Sequence, residues 1–196
     1  MNENPTVYKT AIVEHLAAAV RILALSMFIC SGSYTAILLV AGKTLCPAAA
    51  SGSLLAARGR TVGSELVAQK FSKPGYFWSR PSAVDYNAAA AGGSNLSPAS
   101  AELRKRALET VATLGATTGN PAPADLVSAS GSGLDPDITL EAARFQAPRV
   151  ARARNLPVEK IAAVIDEQSS PKNIFSGSTR LVNVLRLNIA LDQSAR

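Results

Sequence analysis

The stretch ILALSMFICSGSYTAILLVAG, residues 22–42, contains no charged side chain. As a helix it is about 31 Å long at 1.5 Å per residue, close to the hydrocarbon thickness of a bilayer. It exceeds the roughly 7–15 apolar residues of a signal peptide, so a retained anchor is favoured over a cleaved signal. We predict a short N-terminal tail (1–15), a transmembrane anchor helix (16–43) and a single soluble α/β (α+β) domain (44–196).

Composition excludes several function classes for the 196-residue chain. It has a single histidine, His15, and two cysteines, Cys30 and Cys46, which lie in or at the edge of the apolar run. These residues provide neither zinc-ligand spacing nor an imidazole in the soluble part, so we predict no metal site and no catalytic residue. The net charge of +6 is spread along the chain without interleaved aromatics, so no nucleic-acid partner is predicted.

The flanks of the apolar run define its orientation poorly. Lys9 and Arg21 precede its centre, and Lys43, Arg58 and Arg60 follow it. The positive-inside rule weakly favours a cytoplasmic C-terminal part, although long domains often cross the membrane regardless of charge. Charge alone therefore leaves the side of the soluble domain open.

Small residues occupy the middle of the apolar run. Ser31, Gly32 and Thr35 would allow another transmembrane helix to approach closely, which predicts a partner subunit in the lipid bilayer. The alternative is that these residues face lipid and are merely tolerated there. Sequence alone leaves both interpretations open.

The soluble part shows several periodic segments. Apolar residues recur at helical spacing in residues 98–114, and Thr139 can cap a helix to residue 154 that Pro148 breaks or kinks. Residues 66–71 predict a short helix or strand, and residues 125–136 a short strand entering a Gly/Ser turn. A further helix is predicted in 156–168, with Ile161, Val164 and Ile165 inward. Residues 182–192 are ambiguous between strand and helix; a helix is favoured because Val184, Leu187 and Leu191 fall on one face.

The segment YNAAAAGGSNLSPAS, residues 86–100, places glycines before a predicted helix with Ser97 as N-cap and Pro98 in the first turn. Glycines at a helix N-terminus can hold a phosphate. Neither this segment nor SASGSG, residues 128–133, matches a complete nucleotide-binding motif, and AGKT at 41–44 lacks the glycine and strand of a Walker A motif. Spacing alone favours a structural turn.

Five arginines are candidate binding residues. Arg80 lies in the aromatic segment (residues 74–81), two residues after Trp78. It could stack on Trp78 or bind an acidic partner, although an arginine that packs within the fold is the commoner outcome. Four others predict a basic helix surface that is solvated or faces an acidic partner: Arg144, Arg149, Arg152 and Arg154.

Seven stretches of the chain form a recognisable combination: GSLL (52–55), VGSELVAQKF (62–71), GYFWSRPSA (75–83), YNAAAAGGSNLSP (86–98), DLVSASGSGLDPDIT (125–139), RVARARNLPVEKI (149–161) and VNVLRLNIALD (182–192). In order and content they resemble the C subunit of the Kdp-type potassium-transporting ATPase of bacteria. The resemblance covers nearly the whole chain, and its specificity comes from the combination rather than from any one motif. Some members carry a histidine where this chain has Trp78, so no role that requires a histidine there is transferred.

The resemblance implies a single-pass, non-catalytic subunit of a bacterial inner-membrane complex. Its partners are a channel-like potassium-selective subunit and a P-type ATPase subunit that hydrolyses ATP. The family is described as a catalytic chaperone that raises the ATP affinity of the ATPase subunit, with ATP bound jointly. That account implies a nucleotide loop formed by Gly92, Gly93, Ser94 and Asn95.

A second account within the same resemblance puts the soluble domain on the outer side of the membrane, against the potassium-selective subunit. ATP is scarce there, so the domain would brace that subunit or shape ion entry. We therefore expect either a nucleotide-dependent chaperone or a structural, gating subunit. Two sets of residues are the predicted partner contacts: Ser31, Gly32 and Thr35 in the anchor, and Tyr76, Trp78 and Arg80 in the aromatic segment.

Overall fold

The computed structural model describes the backbone of residues 5–171 and 179–194, and the side chains from residue 12 onward within those ranges. It contains two compact units, Met1–Ser53 and Leu54–Arg196. The predicted boundaries at residues 15/16 and 43/44 are not tested by this division and stay predictions.

The first unit is almost entirely helical. Helix α1 (Pro5–Met27) passes through a π-helical segment (Phe28–Ser33) into α2 (Tyr34–Leu45), and a short α3 (Pro47–Ala50) follows. Within the described residues, Ile12–Leu45 is the one helix long and apolar enough to cross a membrane, with a mean hydropathy of 1.9. At 1.5 Å per residue it is about 50 Å long, more than a bilayer core requires. The predicted apolar helix is present, and its insertion into a bilayer stays a prediction.

The second unit begins with a β-hairpin of β1 (Leu54–Ala57) and β2 (Arg60–Ser64), paired antiparallel. The two turn residues, Arg58 and Gly59, have φ values of 52° and 72°. Positive φ at both positions is the geometry that matches the twist of a two-residue hairpin.

A long irregular segment, residues 65–100, follows the hairpin and contains no helix or strand. The helix or strand predicted at 66–71 is therefore wrong. Ala68 is buried and donates its amide to Leu134 O at 2.9 Å, whereas Leu66 is exposed. The contact of Ala68 with Leu134, 66 residues later in sequence, does not belong to a helix or to a strand ladder.

The described part of residues 101–194 combines five helices with a small sheet. The sheet has the order β3–β5–β4 and is antiparallel throughout. This mixture of helices and antiparallel strands is consistent with the predicted α+β class. The elements are α4 (Ala101–Leu114), α5 (Ala124–Val127), β3 (Asp137–Thr139), α6 (Leu140–Arg154), α7 (Val158–Gln168), β4 (Ser169–Pro171), β5 (Arg180–Asn183) and α8 (Val184–Ser194).

Local predictions around α5 and α6 are partly corrected. The strand predicted within 125–136 is instead the single helical turn α5, in which Leu126 is buried, followed by the expected Gly/Ser loop. Thr139 caps α6 as predicted, because its side-chain oxygen accepts from Ala142 N at 3.0 Å. The helix α6 continues through the exposed Pro148 to Arg154, so the predicted break is wrong, and the alternative of a kink stays a prediction.

The core is formed by the sheet and α6–α8. Ile138 and Val182 face each other across β3 and β5, and both are buried. All six inward residues predicted for α7 and α8 are buried, which confirms those predictions. The irregular segment adds Phe77, which is fully buried in this cluster. The remaining core positions of α6 are mainly alanines, which let neighbouring elements approach closely: Ala142, Ala143, Ala147 and Ala151.

Candidate functional site

The aromatic segment, residues 74–81, lies against α6 and α8 and is held there by two side-chain amides. Gln146 of α6 accepts from Trp78 N at 2.9 Å and donates to Trp78 O at 3.1 Å. Asn188 of α8 does the same for Phe77, with distances of 2.8 and 3.0 Å. Each amide therefore satisfies both backbone polar groups of one residue, as a neighbouring strand would.

Two arginines extend this pattern toward the start of the segment. Arg149 donates to Pro74 O at 2.6 Å and to Tyr76 O at 3.0 Å. Arg154 donates to Gly75 O at 2.6 Å. Together with the two amides, they bond the carbonyl oxygens of all five residues 74–78. We call Gln146, Arg149, Arg154 and Asn188 the backbone clamp.

The surroundings of the backbone clamp shift the pKa values of two side chains, Arg149 and Tyr76. Burial lowers the pKa of the Arg149 guanidinium to about 10, so Arg149 remains charged at neutral pH. The guanidinium carbon lies 3.8 Å from the Trp78 ring centroid, a cation–π geometry. Arg154 also bonds Asp192 at 2.8 Å, and Tyr76 donates its hydroxyl to the same carboxylate at 3.0 Å. Burial first, and Asp192 second, raise the pKa of Tyr76.

The predicted contact residues of the aromatic segment are engaged within the domain. Tyr76 bonds Asp192, and the Trp78 indole donates to Lys73 O at 3.2 Å. Arg80 does not stack on Trp78, because Arg149 occupies a ring face and Arg80 forms a 3.0 Å ion pair with Asp135. The side chains of Tyr76, Trp78 and Arg80 remain partly exposed, and their contact with a partner stays a prediction.

The basic helix surface predicted on α6 is only partly present. Arg144 forms a 2.8 Å ion pair with Asp166, and Arg152 is exposed. Arg149 and Arg154 instead point into the fold as members of the backbone clamp. Helical periodicity could not predict this, because the carbonyl groups they bind come from a segment about 75 residues away in sequence.

The two glycine-serine elements of the sequence are packed against each other. Gly92 donates its amide to Ser132 O at 2.8 Å. A Cβ atom on Gly93 would lie 2.9 Å from Gly131 O, a distance that real side chains do not adopt against backbone. Gly133 has φ +69°, and a Cβ there would lie 2.8 Å from Gly92 O. These glycines therefore permit close backbone approach at this junction, which we call the glycine junction.

The glycine junction lies before α4 rather than at its first turn. The N-cap is Ser100, whose hydroxyl oxygen accepts from Leu103 N at 3.4 Å, so the N-cap predicted at Ser97 is wrong. Ser97 instead forms a turn in which it accepts from Ala99 N. Pro98 belongs to that turn, and the predicted helix start at residue 98 moves to Ala101.

The charge around the glycine junction is not that of a polyphosphate site. The first turn of α4 contains the acidic Glu102. A cavity of about 510 Å³ beside Ser130, Gly131 and Ser132 is lined by a single ionisable residue, Asp135. Ser94 is half-buried and Asn95 is exposed with φ +50°. Nucleotide binding by Gly92, Gly93, Ser94 and Asn95 stays a prediction.

The predicted contact residues of the anchor lie on an exposed helix surface. Ser31 and Gly32 belong to the π-helical segment, and Thr35 lies in the first turn of α2. All three are exposed. Within residues 5–171 and 179–194, no group of three or more His, Cys, Asp or Glu side chains could hold a metal ion.

Sequence reasoning missed Gln146 and Asn188, which are both about 98–99% buried. The sequence pattern could have identified both residues, because each lies on an otherwise apolar helix face. Gln146 lies between Ala142 and Val150, and Asn188 lies four residues after Val184. A polar residue at a core position requires a hydrogen-bonding partner inside the fold.

A protein-family model described as K⁺-transporting ATPase, C chain (KdpC) matches residues 16–193. The chain belongs to the KdpC family. Relatives named potassium-transporting ATPase KdpC subunit agree: one from Parvibaculum lavamentivorans is 51% identical, covering 92% of this chain and 97% of the relative. One from Shewanella putrefaciens is 40% identical over 98% of both chains. The resemblance carried by the seven stretches is thereby confirmed.

Membership of the KdpC family makes the chain a subunit of a potassium-transporting ATPase complex. Other subunits are thus implied as partners, and the long apolar N-terminal helix is consistent with a single-pass membrane subunit. The backbone clamp and the glycine junction lie within residues 16–193, the part that matches the family model.

Proposed function

We propose that this chain is a non-catalytic accessory subunit that braces the potassium-selective subunit from the outer side of the bacterial inner membrane and holds no nucleotide itself. The observation that carries this proposal is the glycine junction. The amide of Gly92 is already donated to Ser132 O, and Gly93 is packed on Gly131 O. A phosphate cradle needs converging free amides, and this turn uses its glycines for contact within the domain.

The organisation of the aromatic segment supports a bracing role. A long irregular loop is usually mobile, yet here five successive carbonyl groups are bonded by rigid helices. The segment therefore presents the partly exposed Tyr76, Trp78 and Arg80 on a fixed surface. Side chains fixed in this way lose less conformational entropy when a partner binds.

The competing proposal is a chaperone that raises the ATP affinity of the ATPase subunit through the loop of Gly92, Gly93, Ser94 and Asn95. Gly93→Ala separates the two proposals, because the added methyl group displaces Gly131 at the glycine junction. We expect a reduced yield of assembled complex, with an unchanged ATP KM for the complex that remains.

Gly119→Ala is the matched control, because a Cβ atom at Gly119 meets nothing within 4 Å. It should leave both yield and KM unchanged. Normal complex yield combined with a several-fold higher ATP KM in Gly93→Ala would contradict the bracing proposal and support the chaperone.

The outer location is tested by cysteine labelling on intact cells. In a background with Cys30 and Cys46 replaced by serine, Ser170→Cys offers an exposed thiol on β4. We expect a membrane-impermeant maleimide to label it before lysis, whereas Asn2→Cys, on the other side of the apolar helix in sequence, should react only after lysis. The reverse pattern would put the soluble domain in the cytoplasm.

A further inference from the structure

A cleft of about 260 Å³ lies between α4, α5 and the irregular segment. Its walls are largely apolar and aromatic, with Thr110 and Thr113 of α4 beside them. Such a concave, mainly apolar site with few polar groups is the usual form of a small-molecule pocket. The apolar lining residues are Phe71, Trp78, Pro81, Tyr86, Leu114 and Leu126.

Two side chains that line this cleft each have one buried polar atom without a hydrogen-bonding partner among the described residues. Ser79 is 7% exposed, and its Oγ bonds no atom of the described residues. Arg106 Nη2 is likewise buried without a partner in residues 5–171 and 179–194. Buried donors without partners are rare in folded proteins because their desolvation is uncompensated. Two lining one cleft mark a place where an acceptor is expected.

Arg106 differs from the other partly buried arginines of the domain. Arg80 pairs with Asp135, Arg154 pairs with Asp192, and Arg149 bonds three backbone or amide oxygens. Arg106 forms no ion pair within the described residues. The cleft wall also contains the acidic residue Glu109. Its carboxylate oxygen Oε1 lies 3.9 Å from Lys105 Nζ, and the side chain is largely exposed. Arg106 is the one cationic side chain that lines the cleft within the described residues.

We propose that this cleft binds a compact organic carboxylate with an apolar body. A guanidinium matches the geometry of a carboxylate through two parallel hydrogen bonds, and the Ser79 hydroxyl offers a further donor. The apolar walls take up the hydrocarbon part. At about 260 Å³ the cleft lies below the roughly 300–1,000 Å³ of pockets for drug-sized ligands, so it suits a small acid or one acidic side chain.

The chain contains a built-in reporter, because Trp78 is its single tryptophan and lines the cleft. The full chain in detergent is titrated with cyclohexanecarboxylate, and with cyclohexylmethanol as the neutral probe of similar shape. We expect a saturable change in Trp78 fluorescence, with the acid binding at least tenfold more tightly than the alcohol. Neither probe absorbs at the excitation wavelength of tryptophan.

Arg106→Gln should weaken binding of the acid at least tenfold and leave binding of the alcohol unchanged. Arg104→Gln is the matched control, because it removes the same charge from an exposed position of α4. Arg106→Lys keeps the charge but not the paired donors, so it should weaken binding of the acid about threefold. Circular dichroism establishes that each variant is folded, and Arg106→Lys provides the test if Arg106→Gln does not fold.

The same titration on the assembled ATPase complex distinguishes the sources of the carboxylate. Equal binding to the isolated chain and to the complex indicates a free small acid. Binding to the isolated chain alone indicates that an acidic side chain of a partner subunit fills the cleft. The proposal is overturned if the acid gives no saturable change, if the alcohol binds as tightly, or if both folded Arg106 variants bind the acid like the unmodified chain.

Discussion

The α6–α8 core and the irregular segment 65–100 are stabilised by different interactions. In the core, apolar side chains at helical spacing pack on a small sheet. In the segment, the backbone forms no ladder of its own, and the carbonyl groups of residues 74–78 are bonded by side chains of α6 and α8. The difference shows that a few polar residues on helices can order a loop that has no regular structure.

Phe77→Ala is expected to have the largest effect, because Phe77 is the fully buried side chain by which the segment enters the core. Deletion of a buried phenylalanine ring costs about 3–5 kcal/mol of unfolding free energy. Denaturant unfolding of the full chain in detergent, followed by Trp78 fluorescence, measures the loss. Phe77→Leu should restore most of it, and a loss below 1 kcal/mol in Phe77→Ala would show that the segment is not part of the cooperative core.

Asn188→Ala tests the polar side of the comparison. It leaves Phe77 N–H and C=O without partners in the protein interior, at a cost of about 1–3 kcal/mol for each unsatisfied group. We expect a loss of about 2–4 kcal/mol in the same unfolding assay. Gln193→Ala removes an exposed amide from the same helix and should change stability by less than about 0.5 kcal/mol. Equal losses of unfolding free energy in Asn188→Ala and Gln193→Ala would contradict the stabilising role of the backbone clamp.

Ser100→Ala and Ser97→Ala form a matched pair at the end of the segment. Loss of an N-cap costs about 1 kcal/mol, and Ser100 is the residue that caps α4. Ser97 bonds only within a turn, so its replacement should cost a few tenths of a kcal/mol at most. A larger effect at Ser97 would place the start of α4 where the sequence pattern predicted it.

Tyr86→Phe should change the pH dependence of stability only in the alkaline range. Burial first, and Asp85 second, raise the pKa of Tyr86 above its ordinary value of about 10. The stability that this raised pKa contributes is fully present below about pH 10 and is lost as pH rises through the folded-state pKa. Above pH 10, Tyr86→Phe should therefore lose stability less steeply than the unmodified chain.

Denaturant midpoints for both proteins between pH 9 and 11 measure this difference. Arg149, whose pKa burial lowers to about 10, contributes in the opposite direction, but it is present in both proteins and cancels in the comparison. The hydroxyl of Tyr86 also donates to Arg80 O, so a uniform offset is expected at all pH values. Parallel pH profiles would contradict the role assigned to the Tyr86 proton.

Much of the fold follows from patterns in the sequence. The uncharged run 22–42 predicts a long apolar helix, and the periodicity of residues 156–168 predicts α7 and its buried face. For residues 182–192 the pattern left strand and helix open: the favoured helix is present from Val184, whereas Val182 and Asn183 belong to β5. Thr139 identifies the start of α6 because capping depends on the next three residues only. These features are local, so sequence alone determines them.

The tertiary structure decided what no local pattern contains. The backbone clamp joins residues more than 65 positions apart in sequence. In the sequence, its two arginines resemble surface residues and its two amides resemble polar residues on an apolar face, because their binding partners lie in the distant aromatic segment. The glycine junction likewise depends on a contact between Gly93 and Gly131. Hydrogen-bonding partners and close backbone approaches across such separations are set by the packing of the chain, whereas periodicity and caps are set by neighbouring residues.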